Sequence, residues 1–285
     1  MKILIIGGSR FVGPILINKL IKLNHDLTIF NRGKHQKEYN KKINFVKGDR
    51  NTKVNLKDHF DVVIDMCAYN VNQLKNVIDY VSFDYFINFG TAASYKKTDI
   101  FPLTESSPLG RWPLWGSYNT GKVECEKLLI KKGIKHSTIR PVYILGKANY
   151  VNREAFIYSK ILHEERIILP GNGQAVCQFV FVEDVANVLV FLVKNKLEGA
   201  FNLAGDEFVT LQGLVTIMGD IVGKKAIMEF NPLADGLYHK EEEFPFANEN
   251  FICSNEKLKK LKIKFLPLIN TLESHYKTYY QKIIK

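Results

Sequence analysis

Cysteine is scarce and scattered in this 285-residue chain: Cys67, Cys125, Cys177 and Cys253 form no CxxC pair. That spacing argues against a zinc ribbon or a disulfide framework and fits reduced thiols in a cytoplasmic protein. The seven histidines also lack metal-ligand spacing, so no metal is expected. No apolar run approaches the roughly 20 residues of a membrane-spanning helix, and no membrane association is expected. The first residues already read as a core strand, without the charged and apolar regions of a secretion signal. Acidic side chains are the minority, 29 against 40 Lys plus Arg, for a net charge of +11. The basic residues are dispersed, mainly over 34–42, 131–135 and 257–264. They form no aromatic-interleaved tract, which favours a compositional bias over a nucleic-acid surface. There is no internal repeat and no low-complexity linker.

What is present is alternation. Strand patterns fit 2–6, 26–30, 43–46, 61–66, 84–89, 135–140, 176–182 and 200–203. Helical patterns fit 13–23, 70–80, 117–132, 183–194 and 210–222. Such a sequence predicts an α/β fold, a doubly wound parallel sheet with helices on both faces. Residues 1–149 plus 174–204 are expected to form the sheet domain, and 150–173 plus 205–285 a smaller, interleaved lobe. The irregular stretch 90–116 is long enough to be functional, at the carboxyl edge where open sheets bind ligands. The C-terminal helix at 271–284 carries Tyr276, Tyr279 and Tyr280 at a spacing that suits packing.

Gly7-Gly8-Ser9-Arg10-Phe11-Val12-Gly13 directly follows the apolar run Lys2-Ile3-Leu4-Ile5-Ile6 and precedes a helical pattern. Glycine at a strand-to-helix turn lets the backbone approach a pyrophosphate, and the helix N-terminus offers free N–H groups and partial positive charge. That is a dinucleotide-binding context. The second strand ends at Asn31-Arg32, about 20 residues on, where this kind of fold reads the adenosine ribose. A carboxylate there would favour NAD. Asn31 without negative charge, beside the Arg32 guanidinium, inclines the reading to NADP, with NAD still accommodated.

Tyr118-Asn119-Thr120-Gly121-Lys122 places a phenol and an ammonium one turn apart at the start of a helix. The ammonium would favour the phenolate, making Tyr118 a candidate acid/base. The same YxxxK spacing recurs at Tyr143 and Lys147, but there it spans a strand end and Gly146. Thr91, first after Gly90 at the end of the fifth strand, can donate to or accept from a reacting oxygen, with Ser94 as its rival.

Together these residues resemble the extended short-chain dehydrogenase/reductase family, which includes nucleotide-sugar epimerases and dehydratases. The likeness runs from Met1 to about Leu214. It implies a Rossmann sheet and a nicotinamide cofactor held by Gly7 to Gly13, with Arg10 where a glycine is usual. It also implies a catalytic trio of Thr91, Tyr118 and Lys122. Asp49, followed by Arg50, matches the adenine contact, and Cys67-Ala68 matches the strand-four segment lining the cofactor. Arg140-Pro141 is a further landmark, with Pro141 beside the cofactor. Where the UDP-galactose epimerases carry a nucleotide-binding asparagine this chain has Tyr143. Where they carry a diphosphate-binding arginine it has Cys177 and then Gln178. Arg153 or Arg166 is the candidate replacement cation. The substrate side is therefore expected to use Tyr143, Arg153 and Gln178. GGSRFVG with Asp65-Met66-Cys67-Ala68-Tyr69 is similar to an atypical branch that includes chloroplast stem-loop RNA-binding proteins.

The expected function is an NAD(P)-dependent oxidoreductase of epimerase, dehydratase or reductase type, acting on a small molecule such as a nucleotide sugar or related polyol. The alternatives are an RNA-binding protein that keeps the cofactor fold, and a cofactor-bound regulatory sensor. A homodimer through helices 70–80 and 117–132 would suit the family.

Overall fold

The computed structural model describes residues 1–35, 39, 43–236 and 244–284. Of the basic stretch 34–42, Lys37, Lys41 and Lys42 lie outside these residues. The chain opens with β1 (Lys2–Ile6), α1 (Val12–Lys22), β2 (Asp26–Asn31), β3 (Asn44–Lys47), a short β4 (His59–Phe60) and β5 (Val62–Asp65). It continues with α2 (Val71–Ile78), a short β6 (Ser82–Phe83), β7 (Phe86–Phe89), α3 (Gly116–Lys131), β8 (His136–Pro141) and β9 (Tyr143–Leu145). Then follow α4 (Glu154–Leu162), β10 (Arg166–Pro170), β11 (Val176–Phe181), α5 (Val182–Asn195) and β12 (Gly199–Leu203). β13 (Phe208–Thr210), α6 (Leu211–Val222), β14 (Ile227–Asn231), α7 (Glu256–Lys260), α8 (Leu268–His275) and α9 (Gln281–Ile283) complete it.

Seven strands form one parallel sheet in the order β12-β8-β7-β5-β1-β2-β3. Its central strands are covered on both faces, which is why Ile3 to Ile6 and Val62 to Ile64 are apolar without alternation. α1 buries Leu16, Ile17 and Leu20, spaced along one face, and packs beside α5. Asn70 caps α2 by accepting from Gln73 N at 3.0 Å, and Thr210 caps α6 through Gly213 N at 3.0 Å. Gly223, at φ 72°, ends α6 in the left-handed conformation that glycine adopts without strain.

The expected strands, and the expected helices up to residue 222, match observed ones to within two residues at each end, while the C-terminal helix expected at 271–284 begins earlier, at Leu268, and runs in successive segments to Ile283. One placement differs. The segment 176–182 read as another strand of the main sheet, but β11 lies in a separate three-stranded sheet, β13-β11-β9. The chain leaves the main sheet at Pro141, which has no N–H for the ladder, and β9 then pairs in parallel with β11. This second sheet takes β9 and β11 from the expected first domain and β13 from the expected second. β10 and β14 form a further parallel pair. At the C-terminus Tyr276 and Tyr280 pack on Tyr158, with ring centroids 4.8 and 5.4 Å apart. No helix among the described residues is long and apolar enough to cross a membrane. The solvent side of α3 carries Ser117, Thr120, Glu124 and Lys127.

Candidate active site

The sheet order reverses beside β1, with β2 on one side and β5 on the other, which is where open α/β sheets bind ligands. A cavity of about 780 Å³ opens at that edge. Gly7 and Gly8 turn the chain there with φ 92° and 74°. A Cβ on Gly13 would lie 2.1 Å from Gly8 O, so only glycine lets α1 start this close to the turn. No side chain caps α1, and its first turn holds no acidic residue, so its N-terminal N–H groups face an anion-compatible field. Gly7, Gly8, Ser9, Arg10, Phe11 and Val12 all line the cavity.

Asn31 and Arg32 stand at the end of β2, and Asp49, Arg50 and Pro141 also line the cavity. Asn31 Oδ1 accepts from Gly33 N at 2.7 Å, while its Nδ2 is buried with no protein partner. An unsatisfied amide at this point suits a ribose hydroxyl. Asp49 Oδ1 accepts from Asn51 N at 2.9 Å. The turn glycines, the uncapped helix end and the orphaned amide together fit a dinucleotide.

Thr91, Tyr118 and Lys122 line the same cavity. Thr91 ends the β7 segment, where its Oγ1 accepts from Ala93 N at 3.2 Å and leaves its own proton to donate. Ser94 is buried away from the cavity and does not share this position. Lys122 is buried, and its Nζ donates to Phe89 O at 2.7 Å. The ammonium sits 5.9 Å from the Tyr118 ring centroid and 5.1 Å from that of Tyr69. Burial pushes its pKa below the usual lysine value, against the pull of the nearby Asp65 carboxylate. A Cβ on Gly121 would lie 2.0 Å from Tyr69 O, so α3 is seated directly on the loop after β5.

Tyr143 and Arg153 line the far part of the cavity with Trp115 and Phe251. The Trp115 and Tyr143 rings lie 6.0 Å apart, and Tyr143 and Phe251 5.6 Å. Arg153 stacks over Tyr143 at 5.3 Å and donates from Nη1 to Ile144 O at 3.0 Å.

Four expectations need correction. Gln178 does not reach the cavity: its Nε2 donates to Gly205 O at 2.6 Å and its Oε1 accepts from Cys253 N at 2.9 Å. The shift of β11 into the second sheet makes it a strut. Ala68 and Gly13 lie beneath the cavity, Ala68 in the core and Gly13 against Gly8. Arg50, by contrast, does border the cavity: its two terminal nitrogens donate to Asp65 (2.5 and 2.8 Å), Cys67 Sγ (3.1 Å) and Gln73 O (2.9 Å), while its buried Nε has no protein partner among the described residues. Arg166, the alternative replacement cation, is an exposed partner of Glu229. Buried Asp65 is Arg50's partner, and Trp115, Tyr150 and Phe251, which belong to no motif, line the cavity together with Tyr69. Burial raises the Tyr69 pKa to about 12. It also pushes the Cys67 thiol up, with Asp65 adding to it, so that sulfur is not a ready nucleophile.

The sequence pattern of the NAD dependent epimerase/dehydratase family matches residues 3–204. The chain belongs to that family. Among its relatives is the chloroplast stem-loop binding protein of 41 kDa b of Arabidopsis thaliana. It is 31% identical over 281 residues, covering 90% of this chain and 73% of that protein. The fold is shared with the UDP-glucose 4-epimerase of Thermotoga maritima solved with UDP-glucose, at TM-score 0.79 and 18% identity over 100% of both chains. It is also shared with the UDP-glucuronic acid 4-epimerase of Bacillus cereus, solved with UDP-glucuronic acid and NAD. That match has TM-score 0.79 and 18% identity over 99% of this chain and 100% of the other. In this epimerase/dehydratase member, Arg10 stands within the glycine turn and Cys177 is wholly buried.

Proposed function

We propose that this protein is an NAD(P)-dependent enzyme that oxidises a secondary hydroxyl, or reduces the matching ketone, of a nucleotide sugar or related polyol. The observation that carries this reading is that Thr91, Tyr118 and Lys122 line one cavity with the glycine turn. A bound nicotinamide ring would supply the hydride acceptor or donor. Tyr118 takes or returns the hydroxyl proton at its phenolic oxygen. Lys122 favours the phenolate by its charge, and beyond the bond to Phe89 O its ammonium has two donors for ribose hydroxyls. Thr91 donates to the reacting oxygen and holds it beside Tyr118. Epimerase, dehydratase and reductase outcomes share this first half-reaction. Arg32 borders the adenosine end of the cavity without a carboxylate at Asn31, which supports binding NADP at least as tightly as NAD.

A second reading, RNA binding on the retained fold, draws support from the +11 charge and from the stem-loop binding relative. The Thr91, Tyr118 and Lys122 set favours the enzyme, since RNA binding makes no use of it.

Mass spectrometry of small molecules released from the undialysed protein tests both. A nicotinamide dinucleotide together with a sugar nucleotide is the expected result. On that substrate Tyr118→Phe should keep the dinucleotide affinity and lose about 10²- to 10⁴-fold in turnover. RNA fragments without any nicotinamide nucleotide would sink the enzyme reading.

A further inference from the structure

The glycine turn carries an unusual cation with an unusual neighbour. Arg10 is exposed at the cavity mouth, and its guanidinium carbon lies 4.5 Å from the centroid of the Tyr150 ring. No carboxylate among the described residues forms an ion pair with Arg10. Phe11 meets the same ring edge-on, with centroids 6.2 Å apart. Phe11 holds φ 55° and ψ −108°, a conformation that side chains other than glycine seldom adopt. Strain of this kind persists where surrounding contacts over-determine it, and it is found at ligand clamps.

Tyr150 belongs to a strap, residues 146–153, between β9 and α4. The strap's roots are fixed. The buried Glu154 carboxylate accepts from Gly146 N at 2.5 Å and from Asn149 Nδ2 at 3.0 Å. Tyr280 OH donates to Gly146 O at 2.8 Å, and Arg153 Nη1 holds Ile144 O. Gly146, at one root, takes φ 142°, Ala148 between the roots takes φ 59°, and the tip residue Tyr150 is 56% exposed. The strap therefore has firm ends and an aromatic tip lying on the turn that would face a pyrophosphate.

We propose that Arg10 and Tyr150 form a clasp across the cofactor cleft. Arg10 supplies a cation to the dinucleotide pyrophosphate, and Tyr150 stacks on it and sets how fast the dinucleotide leaves. The proposal rests on the dinucleotide-binding reading above. It assigns Arg10 a purpose that the usual glycine cannot serve. With the clasp shut, the guanidinium is held flat by the ring while its N–H edges remain available to phosphate oxygens. For the dinucleotide to leave, the strap tip must lift from Arg10 and Phe11.

The test is stopped-flow release of NADH and NADPH from the full chain, followed by nucleotide fluorescence. Tyr150→Ala should speed release by about 2- to 30-fold, the span expected for losing one cation–π contact. Tyr150→Phe keeps the ring and should stay within about twofold of the parent. Arg10→Lys keeps charge without the planar stack and should release faster than the parent. Arg10→Gly should also weaken affinity and flatten its salt dependence. Release from Tyr150→Ala at the parental rate, or equal acceleration by Tyr150→Phe, would overturn the clasp while leaving the cofactor reading intact. A parent that binds neither nucleotide would overturn that reading and the clasp with it.

Discussion

Glu126→Gln tests the buried ion pair that ties α3 to the sheet. Glu126 and Arg140 are 2% and 4% exposed. Oε2 of Glu126 accepts from Arg140 Nη2 at 2.6 Å and Nε at 3.0 Å. The remaining Arg140 nitrogen donates to Tyr95 OH at 3.0 Å and Glu105 O at 3.2 Å, and Tyr95 OH donates on to Asn202 Oδ1 at 2.6 Å. The amide keeps the shape and one acceptor but removes the carboxylate charge bonded directly to the guanidinium. Removing one partner of a buried pair costs about 3–5 kcal/mol. That is a large part of the roughly 5–15 kcal/mol that holds a native chain together. At about 2 °C per kcal/mol for a chain of this length, the melting midpoint should fall by about 6–10 °C. Replacing both residues, Glu126→Leu with Arg140→Met, should recover about half or more of the loss, because no lone charge stays in the core. Urea and thermal melts of parent, single and double variants provide the comparison. A loss below about 1 kcal/mol in Glu126→Gln would refute the reasoning, because it would mean that water reaches the pair.

Two other outcomes follow from the same packing and electrostatics. In Gly121→Ala the new Cβ would sit 2.0 Å from Tyr69 O, so α3 must retreat by about 1 Å to reach the 3.0 Å that real contacts tolerate. A 1 Å misplacement can cost about 10²-fold in turnover. The helix-propensity gain of about 1 kcal/mol should soften the stability loss, so turnover should fall more than melting does, with Ser117→Ala as an unaffected control. Burial pushes the pKa of Asp184 up to about 6, with Glu183 adding to it and the backbone N–H of Leu266 opposing it. The folded carboxyl therefore keeps its proton above the unfolded value of about 3.9, and its stabilising contribution is lost as pH rises through about 6. Asp184→Asn should be more stable than the parent by up to about 3 kcal/mol at pH 8 and equal to it near pH 4. A pH-independent difference in urea midpoints would contradict this assignment.

What could be read from the sequence was local. The glycine turn, the end of β2 and the start of α3 are each written within a few consecutive residues, and backbone periodicity places them on one sheet edge. The residues that complete the cavity are not local. Asp65 meets Arg50, 15 positions away, and Phe251 meets Trp115 and Tyr143 from far down the chain. Tyr150 is the tip of a strap with no periodic pattern. Gln178 misled because the register of β11 depends on which sheet it joins, and that depends on where Pro141 ends the ladder.

The two YxxxK pairs show what decides such cases. Tyr143 lies on β9 within an aromatic cluster, its OH accepting from Ala247 N at 3.3 Å. Lys147 follows Gly146 at φ 142°, so four residues there do not make one helical turn. Tyr118 and Lys122 are on α3, and the residue between them that matters is Gly121. Its missing side chain lets the helix rest on the Tyr69 carbonyl, which brings the Lys122 ammonium down to Phe89 O and within 6 Å of two tyrosine rings. The motif acquires chemical meaning through a glycine that its usual notation leaves as an arbitrary residue.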